Sequence, residues 1–169
     1  MFKAVFWLLS LLIITGCSAS YEKLKTVDSR SNNSFAKNLL ENYKEKAVYE
    51  AEEMHDWNSA KLYSEKALDA LVGAKIKPQE MTYWKLPKKH IFKLTQSYNN
   101  LMIIYDEAKI HDPYNLAVAI SSLDCWAEQQ EENWQTWDIK KCKDDFLNAM
   151  HKMYAKISNN EKKKRSTKS

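Results

Sequence analysis

Apolar residues recur at steps of three and four along most of this chain, the spacing that lines one face of a helix. Ile91, Leu94, Tyr98, Leu101, Tyr105 and Ala108 form one such series, and Leu116, Ile120, Leu123, Ala127, Gln130 and Trp134 a second. Ile139, Cys142, Phe146, Ala149, Met153 and Ile157 form a third. Earlier in the chain, Ala36, Leu40, Tyr43, Ala47, Glu50 and Met54 give one stripe, and Ala60, Tyr63, Ala67 and Leu71 a shorter one. The pattern predicts five helices, at about 34–55, 58–73, 87–111, 113–133 and 138–157.

Punctuation falls at the same boundaries. Asp112-Pro113 offers an N-cap followed by proline at the first helical position, and Pro87 can open a helix in the same way. Gly73 can close the second helix. The predicted fold is all-α: a single helical bundle of about five antiparallel helices over residues 34–157, with one shared core. Residues 17–33 carry few large apolar side chains and no sustained period, and read as a flexible tether.

The start of the chain has a different character. Residues 4–14 are apolar apart from Ser10, behind Lys3, and then give way to Ile14-Thr15-Gly16-Cys17. A bilayer-crossing helix needs about 20 apolar residues, so this shorter run predicts a secretory signal over residues 1–16. The sequence around Cys17 resembles a bacterial lipobox, which implies lipidation of the Cys17 sulfur and cleavage before it. One acyl chain holds a protein only marginally and two or more hold it stably, so the expected partner at this end is a membrane. Ser18 is not the aspartate linked to inner-membrane retention, which favours an outer-membrane lipoprotein facing the periplasm.

Three cysteines then divide simply. With Cys17 lipidated, Cys125 and Cys142 remain as an even pair in an oxidising compartment. They are equidistant from Asn133-Trp134, where two helical patterns meet, so an antiparallel hairpin would set them side by side. A disulfide there closes a loop of about 16 residues, with a stabilisation of roughly 3 kcal/mol in the chain-entropy model. The alternative is two separate core thiols.

Composition excludes several functions. Gly16 and Gly73 are the two glycines of the chain, too few for a phosphate-binding loop or a dinucleotide fingerprint. Charge is localised: the last stretch, NNEKKKRSTKS, holds five cations and one anion. Residues 158–169 therefore read as a basic disordered tail, in which Lys162, Lys163, Lys164 and Arg165 can touch anionic lipid or peptidoglycan carboxylates or simply remain solvated. No aromatic residue interleaves with these cations, so nucleic acid is not an expected partner.

Candidate chemistry is sparse. His55, His90, His111 and His151 stand apart, with no zinc-type spacing, and no serine nucleophile elbow occurs. No metal and no cofactor is expected. YEAEEMHDW gathers Glu50, Glu52, Glu53, His55 and Asp56 at one helix end, where neighbouring charges normally face water. Glu50 differs, since it lies on the apolar stripe and needs a partner if buried. Gln130 has the same position in the fourth helix, and a contact of Glu50 with Gln130 or a tyrosine is expected. Catalysis on cell-wall glycan through Glu50 or Glu53 is a third-rank reading, because such carboxylates must flank a bond across a cleft. Trp57, Trp84, Trp126, Trp134 and Trp137 lie mostly near helix ends; packing accounts for most, and an exposed subset would form a partner-contact surface.

The segments YEAEEMHDWNSAKLYSEKALDA, WKLP, DCWAEQQEENWQ and DIKKC resemble the helical N-terminal region of alphaproteobacterial OmpA-family outer-membrane lipoproteins, over roughly residues 34–157. The family carries a C-terminal OmpA-like domain that grips peptidoglycan; here the basic tail follows instead, so no residue inherits that site. The resemblance implies a non-enzymatic envelope lipoprotein with a structural or protein-interaction role and an envelope protein as partner. A periplasmic adaptor with a TPR-like peptide groove is the alternative, carried by one helix pair around Ala60 and Ala67 that does not repeat.

Overall fold

A computed structural model describes residues 19–28 and 33–166, with side chains given up to Lys163. The expected signal over residues 1–16 and the lipidation site Cys17 lie outside the described residues. Within them the chain is all-helical and has no strand: α1 (residues 19–26), α2 (Ser34–Val48), α3 (Trp57–Leu71), α4 (Lys88–His111), α5 (Pro113–Glu132) and α6 (Thr136–Ser166). A π-helical turn, Tyr49–Met54, prolongs α2, and a short 3-10 turn, Met81–Tyr83, interrupts the connector between α3 and α4.

The contacts separate the chain into two compact units, where the spacing of apolar residues predicts one domain. The first comprises residues up to Asn32 together with Leu40–Ile76, and the second Asn33–Leu39 together with Lys77–Ser169. The boundary falls inside α2 and again where the proline-bearing connector begins. Periodicity reports which face of a helix is apolar and is silent on which helices share a core, so this division has no signature in the spacing.

In the first unit, Ala47, Ala60 and Ala67 are buried, and the rings of Tyr43 and Tyr63 stack with centroids 6.0 Å apart. The expected tether is here partly helix. Tyr21 and Leu24 of α1 are buried, and the Tyr21 hydroxyl donates to Glu52 Oε1 at 2.7 Å. The Tyr21 ring also meets Trp57 edge-on at 6.0 Å. Two apolar residues three apart are enough to seat one short helix and too few to register as a period.

The helix ends explain the local geometry. The N–H groups of His55 and Asp56 both reach the Glu50 carbonyl, which closes the π turn and puts His55 in the left-handed region at φ 56°. Asp56 then caps α3, its Oδ1 accepting from the backbone of Asn58 at 2.8 Å and Ser59 at 3.1 Å. α3 ends as Gly73 predicts: Gly73 has φ 82°, its N–H bonds Ala70, and the Ala74 N–H bonds Asp69. This Schellman arrangement satisfies the last carbonyls of the helix.

The second unit is built around α5, which packs most extensively on α6 and next on α4. Every residue from Ser121 to Gln130 is buried. α4 contributes Leu94, Leu101, Tyr105 and Ala108, and α6 contributes Cys142, Phe146, Ala149, Met153 and Ile157. The stripes therefore face inward as the spacing predicts, except at Ile91 and Trp134, which are exposed. Phe35 joins this core edge-on to Tyr105 at 6.3 Å. Pro113 opens α5, whereas Pro87 precedes α4 by one residue. Asp112 does not cap the backbone; its Oδ2 accepts from Asn115 at 2.8 Å and its Oδ1 faces Lys156 at 3.4 Å. α6 runs on to Ser166, so the expected disordered tail is helical through most of its length. Lysine, glutamate and arginine are good helix formers, and neither glycine nor proline interrupts them.

Candidate functional site

The C-terminal hairpin collects the most chemistry. Asn133 turns the chain between α5 and α6 with φ 56°, and Gln130 Nε2 donates to its Oδ1 at 3.1 Å. Asparagine tolerates this left-handed conformation better than most residues. The two helices then run back along each other, and Cys125 is bonded to Cys142, with Cα atoms 5.7 Å apart, inside the range a disulfide requires.

Trp126 follows Cys125 and packs tilted against Phe146 at 6.0 Å. Two ammonium groups approach its ring: Lys93 Nζ from α4 at 6.0 Å and Lys143 Nζ from α6 at 5.9 Å. Trp126 is 3 % exposed, and its buried indole N–H has no hydrogen-bond partner. Side-chain contact with Lys143, then repulsion from its charge, then burial hold the Lys93 ammonium below the usual lysine range. In the same unit, fully buried Asp124 accepts the Gln79 backbone N–H at 2.6 Å, and Tyr98 donates to Glu80 at 2.7 Å. These bonds fasten the connector to the second unit. Burial, and then the Glu80 hydrogen bond and the Glu80 and Asp124 charges, push the Tyr98 hydroxyl up to about 12.

The expected surface tryptophans split into two groups. Trp57, Trp134 and Trp137 are 42 %, 61 % and 64 % exposed. Trp84 and Trp126 are buried and present no contact surface, which corrects their expected role: both belong to the packing. Trp134 lies in the turn beyond the end of α5.

The carboxylate group near the π turn separates by burial. Glu50 is 2 % exposed and Glu52 and Glu53 face solvent. Glu52 holds Tyr21, and that bond with burial pushes the Tyr21 hydroxyl up to about 12, burial being the larger cause. Asp56 is committed to capping α3. Gln130, also buried, spends its amide on Asn133 at the end of its own helix. In the first unit, an open pocket of about 450 Å³ is lined by Thr26, Val27, Asp28, Leu40, Glu41 and Lys44, with neither Glu50 nor Glu53 among its walls. The carboxylates among its walls are Asp28 and Glu41. At the far end of α6, Lys162 and Lys163 are exposed; the side chains of Lys164 and Arg165 lie outside the described residues.

Sequence reasoning missed Tyr21, Leu24, Lys93 and Lys143. Trp126 and Lys143 immediately follow the two bridged cysteines, so pairing Cys125 with Cys142 was itself the signal that they meet. Lys93 left no such trace. No protein-family model matches the chain, and no curated protein or solved structure is significantly similar to it.

Proposed function

We propose that this chain is a lipid-anchored protein of a bacterial envelope, acylated at Cys17, whose helical part works by contact with a partner protein and not by catalysis. The observation that carries this reading is the Cys125–Cys142 bond. It uses the other two cysteines of the sequence and leaves Cys17 behind Ile14-Thr15-Gly16. A buried bridge is also at home in an oxidising compartment. The likeness to the helical region of OmpA-family lipoproteins points the same way, as does outer-membrane placement facing the periplasm.

Trp134, in the α5–α6 turn, and Trp137, at the start of α6, are exposed and form the contact surface we favour, with Trp57 a separate one. Exposed aromatics of this size are typical anchors of protein interfaces. Lys162 and Lys163 provide a weaker contact to anionic lipid or peptidoglycan, of the kind that salt screens.

Labelling cells with an alkyne-bearing palmitate, followed by intact-mass measurement of the purified protein, tests the anchor. The expected product begins at Cys17 and carries acyl groups, and Cys17→Ala loses both the label and the membrane fraction. A chain with an unmodified Cys17 would overturn the reading.

A further inference from the structure

We propose that Lys93, Lys143 and the indole N–H of Trp126 form a binding site for a phosphate-class dianion in the second unit, beside the Cys125–Cys142 bridge. The inference does not depend on lipid at Cys17. Three helices each supply one donor: α4 gives Lys93, α5 gives Trp126 and α6 gives Lys143. Like charges repel, and a fold that brings two ammoniums to one ring normally supplies a carboxylate between them. Here the two carboxylates that follow Lys143 are engaged elsewhere: Asp144 pairs with Lys140, and Asp145 with Lys141 at 3.1 Å. Neither Lys93 nor Lys143 is paired with a carboxylate among the described residues.

The field around them is positive as well. α4 opens with Lys88, Lys89 and His90 and has no acidic residue in its first turn, so its N-terminal dipole adds to the side-chain charges. The indole N–H is the second, independent feature. It is buried without an acceptor, an arrangement that native structures seldom leave unanswered. An N–H points from the edge of its ring, and the lysine stems have enough rotatable bonds to bring both ammoniums to an oxyanion at that edge. Lys93 is exposed and Lys143 half-buried, so the approach from solvent is over the lysines.

Charge and shape select the ligand class. A phosphate monoester or inorganic phosphate near neutral pH carries a charge of about −1.5 to −2, which balances two ammoniums. A single carboxylate would leave one cation uncompensated. Tetrahedral oxygens also accept from three donors that come from three directions, which a planar carboxylate does less well. The phosphate can be free or can belong to a lipid headgroup, and the same chemistry serves both.

The test uses the full chain with its disulfide intact and its tryptophans labelled with nitrogen-15. Inorganic phosphate is titrated at constant ionic strength, with chloride as the control anion. One indole N–H resonance, absent in Trp126→Phe, is expected to shift and saturate. Lys93→Gln and Lys143→Gln should each weaken binding by about tenfold, the loss expected for one hydrogen bond to a charged group. Lys61→Gln, in the other unit, should leave it unchanged. Circular dichroism verifies that each variant is folded. In a parallel arm, phosphatidylcholine vesicles with and without phosphatidic acid are sedimented with the protein. Capture that needs phosphatidic acid and both lysines identifies the headgroup as the source; saturation by inorganic phosphate without vesicle capture identifies a soluble phosphate. A response to neither, an equal response to chloride, or binding indifferent to both lysine changes overturns the site.

Discussion

Two helical hairpins in this molecule turn through a left-handed residue that is not glycine, and they are secured in different ways. At α2–α3 the residue is His55, and at α5–α6 it is Asn133, both with φ 56°. The second hairpin has a covalent bond across it and an asparagine that suits the conformation. The first has a histidine forced into place by a π turn, held by the Asp56 cap and by α1 through Tyr21 and Glu52. One hairpin is therefore stabilised mainly by restricting its unfolded chain, the other by native contacts that must all be formed at once.

The largest expected effect follows from the bridge. Replacing Cys125 and Cys142 together by serine should lower the unfolding free energy by about 3 kcal/mol, as closure of a loop of this length implies. Urea melts monitored by circular dichroism measure the loss. Because Tyr21 and Trp57 belong to the first compact unit and the bridge to the second, the environment of Trp57 against Tyr21 should be unchanged below the transition. A loss below about 1 kcal/mol would mean that packing alone holds α5 to α6 and that the contrast between the hairpins is false.

The next effect belongs to α1. Leu24 is fully buried, so Leu24→Ala should cost about 2 to 3 kcal/mol, the lower part of the range for emptying a leucine site. Glu22→Ala, on the exposed side of the same helix, should stay within about 0.5 kcal/mol. Equal and negligible effects in the same melts would return residues 19–26 to the status of a tether.

These two cases also mark how far the chain could be read in advance. The bridge was legible because hairpin geometry and cysteine spacing are both linear properties: equal distances from a turn imply side-by-side positions. The five long helices were legible for the same reason, since stripes such as Leu94, Leu101 and Ala108 persist over several turns. α1 was not, because its described residues 19–26 bury only two large apolar side chains, Tyr21 and Leu24. The π turn was not either: Glu50 sits on the stripe whether the backbone is wound as α or π, and only the hydrogen bonds of His55 and Asp56 to its carbonyl distinguish them. The helical end of α6 was masked by its charge, which argued for solvation and was mistaken for disorder. Of the candidate sites, Cys125 and Cys142 were visible from spacing, and Lys93 was not, since its neighbours come from two other helices.

The smallest effect separates two aspartates. Asp56 and Asp112 each precede a helix, and the sequence marks only Asp112 as a cap; in the structure it is Asp56 that accepts from the following backbone, while Asp112 serves Asn115 and Lys156. Asp56→Ala should cost about 1 kcal/mol, the usual value for a lost cap. Asp56→Asn should retain most of that, because an asparagine oxygen accepts the same two N–H groups. Asp112→Asn behaves differently: the acceptor for Asn115 survives, and the attraction to Lys156 does not. Lys156 is 51 % exposed, so the ion pair is screened and its loss should be about 0.5 kcal/mol or less, vanishing in high salt. Salt dependence at Asp112 and none at Asp56 is thus the measurable difference between a charge that pairs and a carbonyl-like oxygen that caps. The opposite pattern would show that the first hairpin relies on the negative charge at the start of α3 more than on its hydrogen bonds.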